Sequence, residues 1–351
     1  MADLYQTMDA IRFTGNGRVP MQFHINASCW QHYPQEALFD LMEEHKYLFP
    51  DFVRPKGVYV PKFGACCRAE EQFTDDFGCV WETAENGIVG VVTKHPLADW
   101  DAFETYAAPD PAVCMGLGPI DWAAEAANVQ EKRECGDLVL AALRHGHTFL
   151  QLSDIRGYEN LIFDMADEEP RLYELIALVE AFNMGIVKRY ADLKVDILEF
   201  PDDMGMQFTP MISPVHFRKY LKPSIQRLMQ VARDAGVAIH MHSDGCIRDL
   251  ADDLVDSGVD VLNLQDRVNG VDWIAEKFAG KTCIELDIDR QHITPTGTPA
   301  QIDALIREEV MKLGSKKGGL MMIYGLYAGV PLENVKAVMD AMEKYAFYWE
   351  G

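Results

Sequence analysis

The feature that most constrains the fold is a regular alternation of short apolar and amphipathic segments from about residue 146 onward. The predicted strands are HTFLQLS (147–153), VDILEF (195–200), VAIHMH (237–242), VDVLNL (259–264), TCIELDI (282–288) and GLMMIY (319–324). The predicted helices that follow them cover 170–190, 214–235, 246–257, 270–279, 299–313 and 331–348. Strands that alternate with helices predict a parallel sheet with right-handed crossover connections.

The number of strand–helix units favours a closed barrel. Six units, together with strands predicted near 20–26 and 112–118, suit an α/β fold of the (β/α)8 TIM-barrel type. An open, doubly wound sheet is the alternative, but no GxGxxG motif or phosphate-binding loop follows a predicted strand. A sheet with helices on both faces should also be apolar throughout, whereas Glu285 and Asp287 share one face of their strand. Such polar rows indicate a lumen that is functional near the C-terminal ends of the strands.

The N-terminal third is less regular than the rest. No repeat, low-complexity run or Pro/Ser linker divides the 351 residues, so we expect a single barrel domain over 1–351. An irregular N-terminal extension and a hairpin are expected within 1–110. The hairpin is predicted within 76–96, and its turn at 85–87 contains the Asn-Gly pair typical of tight turns.

Composition excludes several classes of partner. Lys and Arg number 32 against 55 Asp and Glu, and the resulting net charge of −23 repels phosphate backbones and anionic membranes. No apolar run approaches a membrane span, and the first twenty residues lack the apolar core of a secretory signal, so we expect a cytoplasmic protein. The eight cysteines lack CxxC spacing and are expected to be mostly reduced and buried. Adjacent Cys66 and Cys67 leave a redox or metal role open.

The segment VAIHMHSDGC (237–246) is rich in potential metal ligands. Alternate positions on a strand share one side, and here they are His240, His242, Asp244 and Cys246. His242 and Asp244 lie where the strand ends and could supply an imidazole nitrogen and a carboxylate oxygen to a divalent ion, with Glu285 and Asp287 completing the site. In the alternative, His242 forms a hydrogen bond with Asp244 or a carbonyl, and the carboxylates bind water.

A second segment, EFPDDMGMQFTPMISPVHFRKYLKP (199–223), is also dense in functional residue types. Asp202 and Asp203 follow the end of a predicted strand, where paired carboxylates can act in acid–base chemistry or bind a cation. Alternatively, one of them caps a loop. Met204 and Phe208 would form an adaptable apolar wall for a flat ligand, although methionine at such spacing is also common in a plain core.

Four segments together resemble the uroporphyrinogen decarboxylase-like superfamily. They are DDMGMQFTPMISPVHFRKYLKP (202–223), HSDGCIRDLADDLVDSGVDVLNLQD (242–266), DIDRQHITPTGTPAQIDALIREEV (287–310) and GVPLENVKAVMDAM (329–342). The resemblance covers roughly 195–345 and implies a (β/α)8 barrel. The superfamily includes porphyrinogen decarboxylases, zinc-dependent methyltransferases that pass methyl groups to or from corrinoid proteins or thiols, and the zinc barrel of cobalamin-independent methionine synthase.

Within this superfamily the residues favour the methyltransferases. The decarboxylases carry an arginine-bearing RQAGR segment that holds the substrate carboxylates, whereas the corresponding region here (18–34) contains Arg18 alone. The zinc methyltransferases use His-x-Cys and a later Cys, and here His242-x-Asp244 and Tyr324 stand at those positions. Zinc retention would therefore need other carboxylates. An oxygen-rich ligand set makes the ion a harder Lewis acid, which suits activation of an ether oxygen.

The resemblance therefore implies a methyltransferase of an anaerobic O-demethylase system. It would move a methyl group from a methoxylated aromatic (a phenyl methyl ether) to a corrinoid protein, using Zn²⁺ held by this chain and a corrinoid supplied by a partner protein. A homodimer is also implied. The expected site comprises the metal ligands His242, Asp244 and Glu285, the catalytic residues Asp287 and Tyr324, and the substrate-binding residues His24, Asp203, Met204 and Phe208. The alternatives are a metal-free decarboxylase and a non-catalytic barrel that binds a small ligand.

Overall fold

The strands follow the order that the sequence predicts. The structure is a computed structural model that describes residues 4–350. Its strands are β1 (Met21–Ile25), β2 (Phe73–Thr74), β3 (Val80–Glu82), β4 (Val91–Lys94), β5 (Leu140–Ala142), β6 (Ile197–Pro201), β7 (Ala238–Ser243), β8 (Val261–Gln265), β9 (Cys283–Asp287) and β10 (Leu320–Leu326).

Helices separate the later strands along the chain. They are α1 (Leu4–Arg12), α2 (Cys29–His32), α3 (Gln35–Glu44), α4 (Trp122–Cys135), α5 (Phe149–Arg156), α6 (Tyr158–Ala166), α7 (Pro170–Leu193), α8 (Pro214–His216), α9 (Lys222–Asp234), α10 (Ala251–Asp256), α11 (Asp266–Asn269), α12 (Val271–Phe278), α13 (Ile293–Thr296), α14 (Pro299–Leu313) and α15 (Leu332–Ala346). Short 3-10 turns occupy Ala65–Cys67 and Trp100–Thr105, and a π-helical turn, Phe217–Leu221, joins α8 to α9.

Seven strands form one sheet in the order β1-β10-β9-β8-β7-β6-β5. The β5–β6, β6–β7, β9–β10 and β10–β1 ladders are parallel. At least one helix lies between each pair of consecutive strands from β5 to β10. The predicted fold class, an α/β TIM barrel, is therefore confirmed.

The chain divides into two compact units. The terminal unit consists of Met1–Ala69, Ala84–Val89 and Asn263–Gly351. The middle unit consists of Glu70–Thr83 and Gly90–Leu262. The division passes through β8. The residues predicted for the functional site are distributed over both units.

Two predicted strands are wrong. The segment 147–153 contains the start of α5, and the strand that precedes it is β5. The carboxylate of Asp202, which follows β6, accepts backbone N–H groups at the start of α5. It stabilises a helix start that the local sequence does not indicate. Near 112–118 a single isolated bridge joins Cys114 to Pro119, and no strand forms.

The predicted hairpin is present, and so is its Asn-Gly turn, across which the N–H of Ile88 donates to the carbonyl of Glu85 at 3.2 Å. β3 and β4 pair in an antiparallel ladder, and β2 adds a third strand to this small sheet of the middle unit. The connection runs through 83–90 and is longer than a two-residue turn. Its tip belongs to the terminal unit, where the N–H of Gly87 donates to the carbonyl of Cys67 at 2.9 Å. The turn at 85–88 therefore lies at the tip of a longer connection, and this contact also holds it.

Both units are stabilised by buried apolar strands and capped helices. In the middle unit, Leu198 and Phe200 of β6 and Met241 of β7 are fully buried. In the terminal unit, α14 begins with Thr298 as N-cap, and the side chains of Thr298 and Gln301 form a reciprocal capping box. None of the helices between residues 4 and 350 combines the length and apolar character needed to cross a bilayer.

Candidate metal centre

Three polar side chains meet at the C-terminal ends of neighbouring strands in the middle unit. β5 ends at residue 142, three residues before His145, and β6 ends at residue 201, two residues before Asp203. His242 is the last residue of β7 that pairs with β6. Pro201 pairs with His242 in that parallel ladder. Because parallel strands present their C-terminal ends at one edge of the sheet, the three side chains lie close together.

Asp203 lies between two imidazoles. Its Oδ2 is 3.4 Å from Nε2 of His145, and its Oδ1 is 3.4 Å from Nε2 of His242. The two ring centroids are 5.6 Å apart, with the planes tilted by 51°. One potential ligand atom from each residue lies within 4.8 Å of the other two, which makes this a group that could hold a metal ion.

The carboxyl group of Asp203 is held in its ionised form. Burial opposes ionisation, but hydrogen bonds to His145 and His242 and the charges of these rings outweigh it, so the pKa of Asp203 lies well below its usual range. The backbone N–H of Asp244 also donates to Oδ1 of Asp203 at 2.8 Å. The ionised form is the one in which a carboxylate binds a metal.

Two glycines allow the loops after β6 and β7 to touch. A Cβ atom on Gly205 would lie 2.5 Å from the carbonyl oxygen of Asp244. A Cβ atom on Gly245, whose φ is +78°, would lie 2.3 Å from the carbonyl carbon of Gly205. Beside this contact, the N–H of Cys246 donates to the carbonyl of Met206 at 2.7 Å. A side chain at either glycine would separate the loops that carry the candidate metal centre.

Asp202 fixes the start of α5, which follows His145. Its carboxylate accepts the backbone N–H groups of Thr148, Phe149 and Leu150 at 3.2, 2.7 and 3.1 Å. Burial raises the pKa of Asp202 to about 7, and the N–H donors oppose this rise. Of the two adjacent carboxylates, Asp202 is therefore the one that caps, and Asp203 is the one that meets the histidines.

Arg144, the residue before His145, belongs to a buried ion cluster. Its Nη2 is 3.0 Å from Oδ2 of Asp154, and its Nη1 is 3.5 Å from Oδ2 of Asp75. Burial raises the pKa of Asp154 to about 6, with Arg144 acting in the opposite direction. Asp75 also accepts the indole N–H of Trp81 at 3.0 Å. These contacts fix the backbone that leads into His145.

Three other predicted site residues lie in the middle unit. Oδ1 of Asp244 is 3.9 Å from Nε2 of His242. Met204 is fully buried, and its backbone N–H donates to the hydroxyl of Ser243 at 2.9 Å. Phe208 lies on the loop that follows Asp203, and its side chain is 86% exposed.

The predicted carboxylates of β9 lie in the terminal unit. Oε2 of Glu285 accepts a hydrogen bond from the side-chain amide of Asn263 at 3.1 Å. Oδ2 of Asp287 is 2.5 Å from Nη2 of Arg290. Both carboxylates are buried. That they share one site with His242 stays a prediction.

His24 and Tyr324 also lie in the terminal unit. Burial lowers the pKa of His24, and the negative charge of Glu285 partly offsets this. The fully buried hydroxyl of Tyr324 donates to Oγ1 of Thr294 at 3.0 Å, and burial raises its pKa, so the phenol is protonated. Their catalytic and substrate-binding roles stay predictions.

The sequence-based prediction missed His145. It is the first histidine of His-Gly-His at 145–147, and it follows a strand end just as Asp203 does. The same positional rule would have selected it if β5 had been located correctly. Because 147–153 was predicted to be the strand, His145 fell before a strand, at the end of the sheet where active sites are not expected.

The donors present fit a zinc ion. Two imidazole nitrogens and one carboxylate oxygen are all atoms that zinc accepts as ligands. Three protein ligands with a further position open to substrate are typical of catalytic rather than structural zinc. The contacts of Arg144 and Asp202 hold the backbone on either side of His145, which is the kind of support that orients metal ligands.

Comparisons with known proteins agree with the fold. Residues 73–345 match the protein family described as uroporphyrinogen decarboxylase (URO-D). The curated uroporphyrinogen decarboxylases of two Thermus thermophilus strains are each 27% identical over 188 residues, which is 52% of this chain and 51% of theirs. The match thus spans about half the length of these relatives. The solved structure of a methyltransferase from Methanosarcina mazei has a TM-score of 0.66 at 16% identity, covering 98% of this chain and 99% of the other, which shows a shared fold.

Proposed function

Because the chain belongs to the uroporphyrinogen decarboxylase family, we propose that it is a zinc-dependent methyltransferase of that family. It would move a methyl group from a methoxylated aromatic to a corrinoid protein, as the substrate-side component of an O-demethylase system. The observation that carries this proposal is the group formed by His145, Asp203 and His242. The proposal also draws on the fold shared with the Methanosarcina mazei methyltransferase, a fold on which methyl transfer takes place.

The zinc ligands proposed first are His145, Asp203 and His242. Asp244, next to His242, is proposed as a further ligand or as a hydrogen-bonding partner of the site. Glu285, predicted as a ligand from its position on β9, stays in the proposal as a ligand to be tested. The chemistry supplied by a bound zinc ion is Lewis-acid stabilisation of the ether oxygen from which the methyl group departs.

The residues of the chain would position the substrate and exclude water. Asp203 lies between the two imidazoles, with an oxygen 3.4 Å from Nε2 of each, so the three side chains are already close together where an ion could bind. Phe208, exposed on the adjacent loop, is proposed to cover the aromatic ring of the substrate, with Met204 beneath it. His24 stays proposed as a substrate-binding residue, and Asp287 and Tyr324 stay proposed as catalytic residues. Tyr324 is protonated and could donate a proton or hydrogen bond to the departing oxygen.

The proposed reaction requires a methyl acceptor in addition to the methoxylated aromatic. The bond between the methyl carbon and the ether oxygen breaks, and the oxygen keeps the electron pair and takes up a proton to give a phenol. The methyl carbon forms a bond to the reduced cobalt of the corrinoid, which is the second substrate and is proposed to arrive on a partner protein. An oxygen- and nitrogen-rich ligand set suits this reaction because a harder ion stabilises a departing oxygen better than thiolate ligation would allow.

A second candidate function is decarboxylation of a porphyrinogen, because the curated relatives are uroporphyrinogen decarboxylases. Such a substrate carries many carboxylates and needs matching cations. The only arginine of the N-terminal segment 18–34 is Arg18, and it is paired with Glu350 within the terminal unit. The net charge of −23 also opposes a polyanionic substrate. Both observations favour methyl transfer over decarboxylation.

Metal content and methyl transfer test the proposal together. Purified protein should contain about one zinc per chain, and it should convert members of a methoxyphenol panel to phenols when free cob(I)alamin is supplied as acceptor. His145→Ala and His242→Ala should lose the zinc and at least about 100-fold in rate. The matched control is His32→Ala, which removes an exposed histidine paired with Glu85. Zinc-free protein with full activity, or release of carbon dioxide from a porphyrinogen, would reject the proposal.

A further inference from the structure

Cys66 and Cys67 are adjacent thiols that the proposed function does not use. They end the 3-10 turn Ala65–Cys67, both are half-buried, and their Sγ atoms are 3.8 Å apart. Adjacent side chains on an extended chain point in opposite directions. The turn therefore brings to one side two thiols that an extended segment would separate.

The loop that carries the two thiols is held by the segment 86–87 of the same unit. The N–H of Gly87 donates to the carbonyl of Cys67 at 2.9 Å, and the N–H of Ala69 donates to Oδ1 of Asn86 at 2.9 Å. Gly87 has φ of +89°, and a Cβ atom there would lie 2.5 Å from the backbone nitrogen of Ser28. The sulfur positions are therefore set in advance rather than sampled by a free loop.

A direct disulfide suits this pair poorly. The Cα atoms of neighbouring residues in a trans chain are about 3.8 Å apart, which is below the range of about 4.4–6.8 Å that disulfides usually span. Burial, followed by the charge of the neighbouring Cys66, raises the pKa of Cys67 to about 11, so the Cys67 thiol is protonated at neutral pH. A ligand that bridges the two sulfurs avoids the strain of an S–S bond.

The surroundings also disfavour a tetrahedral metal ion. Among residues 4–350, no other histidine, cysteine, aspartate or glutamate completes a group of three ligand atoms with this pair. Structural zinc requires four protein ligands. Two sulfurs without other protein ligands instead suit a soft atom that already carries one substituent and needs only two thiolate ligands.

We propose that Cys66 and Cys67 form a vicinal dithiol site for trivalent arsenicals of the type R–As(OH)₂. Two As–O bonds break and two As–S bonds form, and each thiol proton leaves with a hydroxyl group as water. The oxidation states of arsenic and sulfur do not change, so no oxidant or reductant is required. Once one thiol has reacted, the second lies 3.8 Å away, and its reaction is intramolecular.

Phenylarsine oxide is the probe for this site. The native chain should take up one equivalent, observed as a single adduct by intact mass spectrometry. The adduct should persist in excess 2-mercaptoethanol and be removed by 2,3-dimercaptopropanol, because only another dithiol forms a chelate with arsenic of comparable stability. Cys66→Ser and Cys67→Ser should each weaken binding by about 100-fold. Cys135→Ser, which removes an exposed single thiol, should bind as the native chain does.

Peptide mapping separates this site from the six other cysteines. The adduct should be found on the peptide that contains both Cys66 and Cys67, and the unchanged melting temperature of each serine variant should show that the fold is intact. The proposal is overturned if either serine variant keeps the affinity of the native chain. It is also overturned if 2-mercaptoethanol removes the native adduct as readily as the dithiol does, or if the adduct maps to another cysteine.

Discussion

Asp203 is the residue on which the candidate metal centre depends most, because its two oxygens contact two different imidazoles. We expect Asp203→Asn to lower zinc affinity by about 100-fold, since it removes the negative charge and one acceptor oxygen together. Asp244→Asn should lower it by less than about 10-fold, because Asp244 is more exposed and lies 3.9 Å from His242. Competition with a chromophoric chelator measures both affinities.

This pair of variants also distinguishes two ligand sets. If Asp244→Asn proves the more damaging substitution, the His242-x-Asp244 pair predicted from the sequence is the core of the site. His145 would then be a neighbour of the metal rather than a ligand. Equal, small losses for both variants would indicate that zinc binds elsewhere.

At the level of single residues, the sequence predicted some of the centre but not its composition. His242 and Asp203 could be selected because each follows or ends a strand, and the strands were recognisable from their apolar residues. His145 could not be selected, because its place depends on where β5 ends. The contact between Asp203 and both histidines depends on the register of three strands, which no local pattern encodes.

The ion cluster around Arg144 joins elements that are distant in sequence within the middle unit. Arg144→Met should lower the free energy of unfolding by about 3–5 kcal/mol, because it leaves the carboxylates of Asp75 and Asp154 buried without their cation. Arg227→Met is the matched control. It removes an exposed arginine paired with Glu180 and should cost no more than about 1 kcal/mol. Urea denaturation measures both, and similar losses would show that the buried cluster has no special role.

A buried glutamate on α14 should make stability depend on pH. Glu309 is fully buried beside Asp266, and burial, followed by the charge of Asp266, raises its pKa. Its contribution to stability is fully present below the unfolded pKa of about 4.3 and is lost as pH rises toward the folded pKa, because only the unfolded state then releases its proton. Glu309→Gln should remove this decline, whose slope is at most about 1.4 kcal/mol per pH unit.

The neighbouring residue provides the control for this prediction. Glu308→Gln alters an exposed carboxylate that pairs with Lys312, and its unfolding free energy should follow the pH dependence of the native chain. The measurement is urea denaturation at several values between pH 5 and 8. A Glu309→Gln variant that declines as steeply as the native protein would show that the pH dependence originates in other groups.

At the level of elements, periodicity identified the later strands and helices but failed where a distant residue decides. The segment HTFLQLS is short and apolar, and such a run fits a strand or a buried helix equally well. Asp202, about fifty residues further along the chain, accepts the N–H groups that start α5 and thereby selects the helix. The hairpin and its Asn-Gly turn were predicted correctly, but the connection is longer than a two-residue turn, and Cys67 also holds its tip.

At the scale of the whole molecule, the residues predicted for the site are divided between the two units. His145, Asp203 and His242 all lie in the middle unit, whereas Glu285 and Asp287 lie in the terminal unit. Zinc at 100 times its dissociation constant should stabilise the folded chain by about 2.7 kcal/mol, and slower amide hydrogen exchange should be concentrated in β5, β6, β7 and the loops that follow them. His242→Ala should abolish this protection. If zinc slows exchange in β9 as strongly as in β7, Glu285 is a ligand as the sequence predicts, and the three-residue centre is incomplete.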